Sequence, residues 1–126
     1  MALEVHALPV LLAQWARAVD RFERFVHALQ SGASPAAGEV SEMHQELLDD
    51  LRVRHEISQR VRTRPATADS RSMLAELDEI FRSVTVEAAQ CVAGADEARD
   101  AGWKPEREWY FWRELQLSGP ASGVAQ

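Results

Sequence analysis

Residues 3–30 read LEVHALPVLLAQWARAVDRFERFVHALQ, and the spacing of their apolar side chains decides the fold class. Leu8, Leu12, Trp15, Val19, Phe22, Val26 and Leu29 recur at alternating intervals of four and three. An α-helix turns once in about 3.6 residues, so this spacing lines up one seam along the whole segment. Leu11 and Phe25 widen the seam to a broad apolar face. A first helix is therefore expected from about Leu3 to Gln30. Pro9 lacks an N–H and suits a first turn, so the regular helix can start near it.

The same pattern returns twice. Ser31 to Gly38 is rich in Ser, Gly, Ala and Pro and reads as a loop. A second helix is expected from about Glu39 to Thr63, with Val40, Met43, Leu47, Leu51, Ile57 and Val61 on its apolar face. Its acids come first (Glu39, Glu42, Glu46, Asp49, Asp50) and its arginines last, which complements the helix dipole. Arg64-Pro65 ends it, because proline pushes the preceding residue out of helical geometry. A third helix is expected from about Ser70 to Val92, capped by Asp69, with Leu74, Leu77, Phe81, Val84, Ala88 and Cys91 on its seam. Gly94 is placed to end it. Pro105 suits the start of a fourth helix reaching about Leu117. Residues 118–126 read as a disordered tail.

No segment alternates in the manner of a strand, and short links between long helices imply antiparallel neighbours. The expected architecture is all-α: an antiparallel up-down bundle of three long helices plus a shorter, aromatic-rich C-terminal helix. The chain has 126 residues, which fits one domain over residues 1–117 and can bury a real core without cross-links.

Composition narrows the function classes. The net charge is −6, which disfavours non-specific binding to nucleic acid or anionic membrane. The N-terminal apolar stretch carries Glu4 and His6 instead of a basic leader, and charged residues soon follow, so neither a signal peptide nor a membrane span is expected. Cys91 is the only cysteine, which excludes an intrachain disulfide and a thiolate zinc site. Arginine greatly outnumbers lysine and alanine is abundant, a bias of GC-rich coding and of bacteria. A cytoplasmic protein without cofactor is expected.

Several residue sets carry candidate chemistry. The Glu-x-x-His pattern of di-iron bundles is absent, since Ser41 precedes His44 and Arg52 precedes His55 by three. If the first two helices fold back on each other, Glu23, His27 and His44 could come together as the metal ligands of a helical-bundle enzyme, which is an alternative reading of the chain. Glu23 and His27 also suit an ordinary surface pair one turn apart. Cys91 lies on an apolar seam, where cysteine is usually inert. No glycine-rich phosphate loop exists. Catalysis is therefore not expected.

Arg52, Arg60, Arg62, Arg64 and Arg71 gather with Arg54 and His55 near the corner between the second and third helices. They could bind nucleic acid or another anion, although no aromatic side chain interleaves them to stack bases. Arg54 falls inside the apolar arc of its helix. It must pair with an acid such as Asp78, or meet a partner.

The strongest oddity is Trp109-Tyr110-Phe111-Trp112, with Trp103 just before it. Four consecutive aromatics on an α-helix point all round it, and one core cannot take them all. On such a helix Trp109, Phe111, Trp112 and Leu115 share one broad face, with Tyr110 and Leu117 opposite. Exposed Trp and Tyr beside Arg are the usual makings of a binding hot spot. Trp103, Trp109, Tyr110, Phe111, Trp112 and Arg54 are thus the expected partner-binding set. The partner would be another protein, of the kind met by inhibitor, immunity, adaptor or chaperone proteins, or a second copy of this chain as a dimer, rather than nucleic acid or membrane.

Overall fold

The computed structural model describes residues 7–117. Three long helices dominate it: α1 (Leu8–Gln30), α2 (Ala37–Thr63) and α3 (Ala68–Ser83). After them come a short strand β1 (Thr85–Glu87), a two-turn helix α4 (Ala95–Ala101), a 3-10 turn (Trp109–Trp112) and a strand β2 (Arg113–Leu115). The fold is an all-α bundle with one small two-stranded sheet attached. No described helix is long and apolar enough to cross a membrane. The expected tail, residues 118–126, and the expected first turns before Ala7 lie outside the described residues.

The seam of α1 is the centre of the core. Leu11, Leu12, Trp15, Ala18, Val19, Phe22 and Val26 are all buried. Pro9 sits in the first turn. This helix packs along both α2 and α3, while those two meet each other far less. From α2 the core receives Leu47, Leu51 and Ile57, and from α3 it receives Phe81. The Phe81 ring lies 5.1 Å from that of Trp15 and 6.1 Å from that of Phe22. At the start of α2 the Ala36 N–H donates to the Glu39 carboxylate at 2.9 Å. That bond satisfies one backbone donor left over near the helix start.

The third helix differs from the sequence expectation at both ends. Thr67, not Asp69, caps α3: its hydroxyl accepts from the Ser70 N–H at 3.0 Å. Asp69 lies in the first turn instead. The third helix also stops at Ser83 rather than Val92. Val84, Thr85 and Val86 are consecutive β-branched residues, which favour extended backbone over helix. The Thr85 hydroxyl donates to the Phe81 carbonyl at 2.7 Å and takes up one of the last helical acceptors. Val84 and Cys91 still reach the core, as the seam requires, but from a turn and a loop. Gly94 precedes α4, at φ 111°, instead of closing α3.

The expected C-terminal helix is likewise shorter than its sequence span. Only Trp109–Trp112 are helical, in one 3-10 turn, and Arg113–Leu115 then run antiparallel to β1. Thr85 faces Leu115, Val86 faces Glu114 and Glu87 faces Arg113. Aromatic residues suit this geometry better than an α-helix. In this turn Tyr110 and Phe111 are buried, while Trp109 and Trp112 are half-buried.

Candidate partner-binding site

Because α2 and α3 stand apart, the cleft between them needs filling, and the 3-10 turn fills it. The Tyr110 and Phe111 rings lie 6.1 and 5.5 Å from the His55 ring of α2, and Trp109 lies 6.2 Å from Phe81 of α3. Trp103 stacks on Phe111 at 4.0 Å, nearly parallel. Tyr110 and Phe111 are thus core residues, not free contacts for a partner.

A polar chain runs beneath this wedge. Arg54 is 5% exposed and Asp78 is 7% exposed. The Arg54 guanidinium donates to both Asp78 oxygens, from Nε at 2.9 Å and from Nη2 at 2.7 Å. It also donates to the Ser58 hydroxyl at 2.6 Å and lies 4.8 Å from the Tyr110 ring centre. Trp15 Nε1 donates to Asp78 Oδ1 at 3.2 Å. One carboxylate therefore ties α1, α2 and α3 together. Arg54 is fully occupied inside the fold, which removes it from the expected partner-binding set. A charge in the apolar arc is tolerated here because it meets its counter-ion in fork geometry.

His55 and the Tyr110 hydroxyl share a 2.8 Å hydrogen bond. Burial lowers the His55 pKa below its ordinary 6.5, and the neighbouring arginines add to that against the pull of Glu108. The Glu108 side chain is 1% exposed to solvent. Burial pushes its carboxyl up, but the Lys104 amide, the Arg107 guanidinium and the Arg62 charge outweigh that and lower its pKa. Burial likewise raises the Tyr110 hydroxyl pKa.

The His55 shift has a pH consequence. A histidine with a lowered folded-state pKa binds its proton more readily once unfolded. Its stabilising contribution is present above pH 6.5 and is lost as the pH falls from there towards the folded value. Thermal midpoints are expected to drop between pH 7.5 and 5.5, and a His55→Gln variant is expected to flatten that slope. An unchanged slope in the variant would assign the effect to other groups.

At the surface the wedge opens into a groove of about 400 Å³. Its lining includes Arg82 at the end of α3, Glu87 of β1, Pro105, Trp109 and Trp112 of the 3-10 turn, and Arg113 of β2. The Arg82 guanidinium lies over the Trp109 ring at 3.8 Å. No hydrogen bond or ion pair among the described residues holds its N–H groups. Arg113 reaches across the sheet, donating to the Thr85 hydroxyl and carbonyl, each at 2.8 Å. Burial lowers the Arg113 pKa somewhat. The groove is therefore an aromatic slot with two oriented cations.

The chain matches no family model, no curated protein and no solved structure.

The other sequence candidates fall elsewhere. Glu23, His27 and His44 are not gathered: among the described residues no group of three potential ligands could hold a metal ion. Both histidines point outward and are exposed. The basic run of α2 is divided. Arg52 pairs with Glu97 of α4 at 3.3 Å, Arg62 approaches Glu108 at 3.6 Å, and Arg71 donates to the Ala66 carbonyl at 2.6 Å. Arg60 and Arg64 lie between them, half-buried and exposed respectively. Cys91 is buried, and burial raises its thiol pKa, as its seam position suggested. Sequence reasoning missed Arg82 and Arg113. Each is an isolated arginine, and nothing in linear spacing shows that β1 and β2 bring them beside Trp109 and Trp112.

Proposed function

We propose that this protein is a non-catalytic interaction module that docks a partner protein in the groove beside Trp109 and Trp112. The observation that carries this is the pair of half-buried tryptophans flanked by Arg82 and Arg113. Tryptophan and arginine dominate binding energy at protein interfaces, because each offers a large rigid surface with a polar handle. A groove of about 400 Å³ suits one or two anchoring side chains. Its lining holds no serine, cysteine or histidine to act as nucleophile or base, which favours binding over catalysis. Cytoplasmic location and bacterial origin belong to the same proposal, on the composition given above.

A photo-reactive benzophenone side chain at Ala89, which lines the groove and is exposed, tests this in the native host. Ala33, in the exposed loop after α1, is the control position. A discrete adduct is expected from position 89 and not from position 33. Excess unlabelled protein should suppress it, and excess Trp112→Ala protein should not. Identical adducts from both positions would remove the groove as the docking surface.

A further inference from the structure

The groove also carries information on the kind of partner it takes. Its charged lining is two arginines against one glutamate, on a chain whose net charge is −6. The Arg82 guanidinium sits over the Trp109 ring, 3.8 Å from its centre, and no hydrogen bond among the described residues takes up its planar fork of donors. A carboxylate is the group that matches such a fork with two parallel hydrogen bonds. Arg113 spends Nε on the Thr85 hydroxyl and Nη2 on the Thr85 and Arg82 carbonyls, leaving Nη1 without a partner of its own among the described residues.

The backbone beside these cations is equally specific. The Gln116 N–H donates to the Val84 carbonyl, and the Ala88 N–H donates to the Trp112 carbonyl. Residues 84, 86 and 88 therefore face β2. In an antiparallel ladder the alternate residues point their N–H and C=O the other way. Glu87 is such a residue, so its backbone groups face the outer edge of β1, beside the groove that its side chain lines. The Thr85 carbonyl on that edge is already taken by Arg113. Among the described residues no backbone partner takes the Glu87 N–H and C=O on that edge, and a strand edge open beside a pocket can receive an extended peptide, with main-chain bonds for affinity and the pocket for selectivity.

Resting on the docking reading above, we infer that the groove binds an extended acidic segment of a partner protein. One apolar or aromatic side chain seats beside Trp109 and Trp112, and a flanking carboxylate engages the edge of Arg82. Charge complementarity selects this occupant over a basic or neutral segment. The aromatic lining and the volume select it over a bare anion.

The test is fluorescence anisotropy of the full chain with a labelled peptide, Gly-Asp-Glu-Phe-Asp-Glu-Gly. Saturable binding is expected, weakened at least about tenfold when the peptide's Phe becomes Ser and abolished when its acids become Lys. Arg82→Gln, at an exposed position, is expected to weaken binding about tenfold while the circular dichroism stays unchanged. Binding should also weaken as salt is raised. No saturable binding up to about 1 mM peptide would overturn the inference, as would equal binding of the Lys peptide. So would competition by inorganic phosphate that is no weaker than competition by unlabelled peptide, which would leave a plain anion site. Concentration-dependent self-association abolished by Arg82→Gln would overturn it too, by giving the groove to a second copy. If the peptide fails while the position-89 adduct persists, the groove still docks a partner and only its acidic chemistry is wrong. If both fail, the docking reading falls with it.

Discussion

Asp78→Ala is expected to cost about 3–5 kcal/mol, a large share of the stability of about 5–15 kcal/mol that an ordinary domain has. The substitution removes few atoms, so the loss comes from what it leaves behind. The Arg54 guanidinium would stay 5% exposed with two of its hydrogen bonds gone, and the Trp15 indole N–H would lose its acceptor. An uncompensated charge in that environment either unfolds the bundle or drags α2 outward to reach water. Urea denaturation measures this directly, with the midpoint falling at nearly constant slope if only stability changes. The double variant Arg54→Met, Asp78→Leu is expected to recover most of the loss, because both charges leave together. If Asp78→Ala alone costs under about 1 kcal/mol, the three-helix tie does not hold the bundle.

The second large effect is expected at Phe111→Ala, at about 3–5 kcal/mol. Phe111 is fully buried, stacks on Trp103 and lies within 5.5 Å of the His55 ring. Its removal opens a cavity at the root of the wedge, in a place where α2 and α3 do not close on each other. The main helices keep their own contacts with α1, so far-UV circular dichroism is expected to change little. Near-UV dichroism should lose most of its intensity as Trp103, Trp109 and Tyr110 lose fixed surroundings. Trp112→Ala, on the half-buried rim, is the contrast: a small stability cost and a loss of partner binding. If the two variants cost the same stability, core and rim are not distinct in the way described above.

Much of this architecture is legible in the chain itself. The four-three spacing of α1 is long and uninterrupted, so its buried face is set by geometry alone. The Pro65 stop of α2 and the need of Arg54 for a counter-ion follow from local sterics and from the cost of burying charge. Asp78 could be named as that partner before any coordinates, and it is.

Periodicity misled where it was short. Val84, Ala88 and Cys91 continue the seam of α3 on paper, yet the β-branched run ends the helix at Ser83. The C-terminal aromatics show the same limit. Their composition marks them as unusual, but which of them face inward depends on a backbone that pairs with β1, a strand more than twenty residues earlier.

The sequence by itself determined that the chain is helical, which face of α1 is buried and that Arg54 needs either an acid or a partner. These depend on neighbours within a turn or two, or on the solvation cost of a single group. Only the tertiary structure decided that Tyr110 and Phe111 are core, that Glu23, His27 and His44 stay apart, and that Arg82 and Arg113 flank two tryptophans. Those outcomes depend on strand register and on the gap between α2 and α3. Both are products of packing over long separations, where no local preference is strong enough to decide.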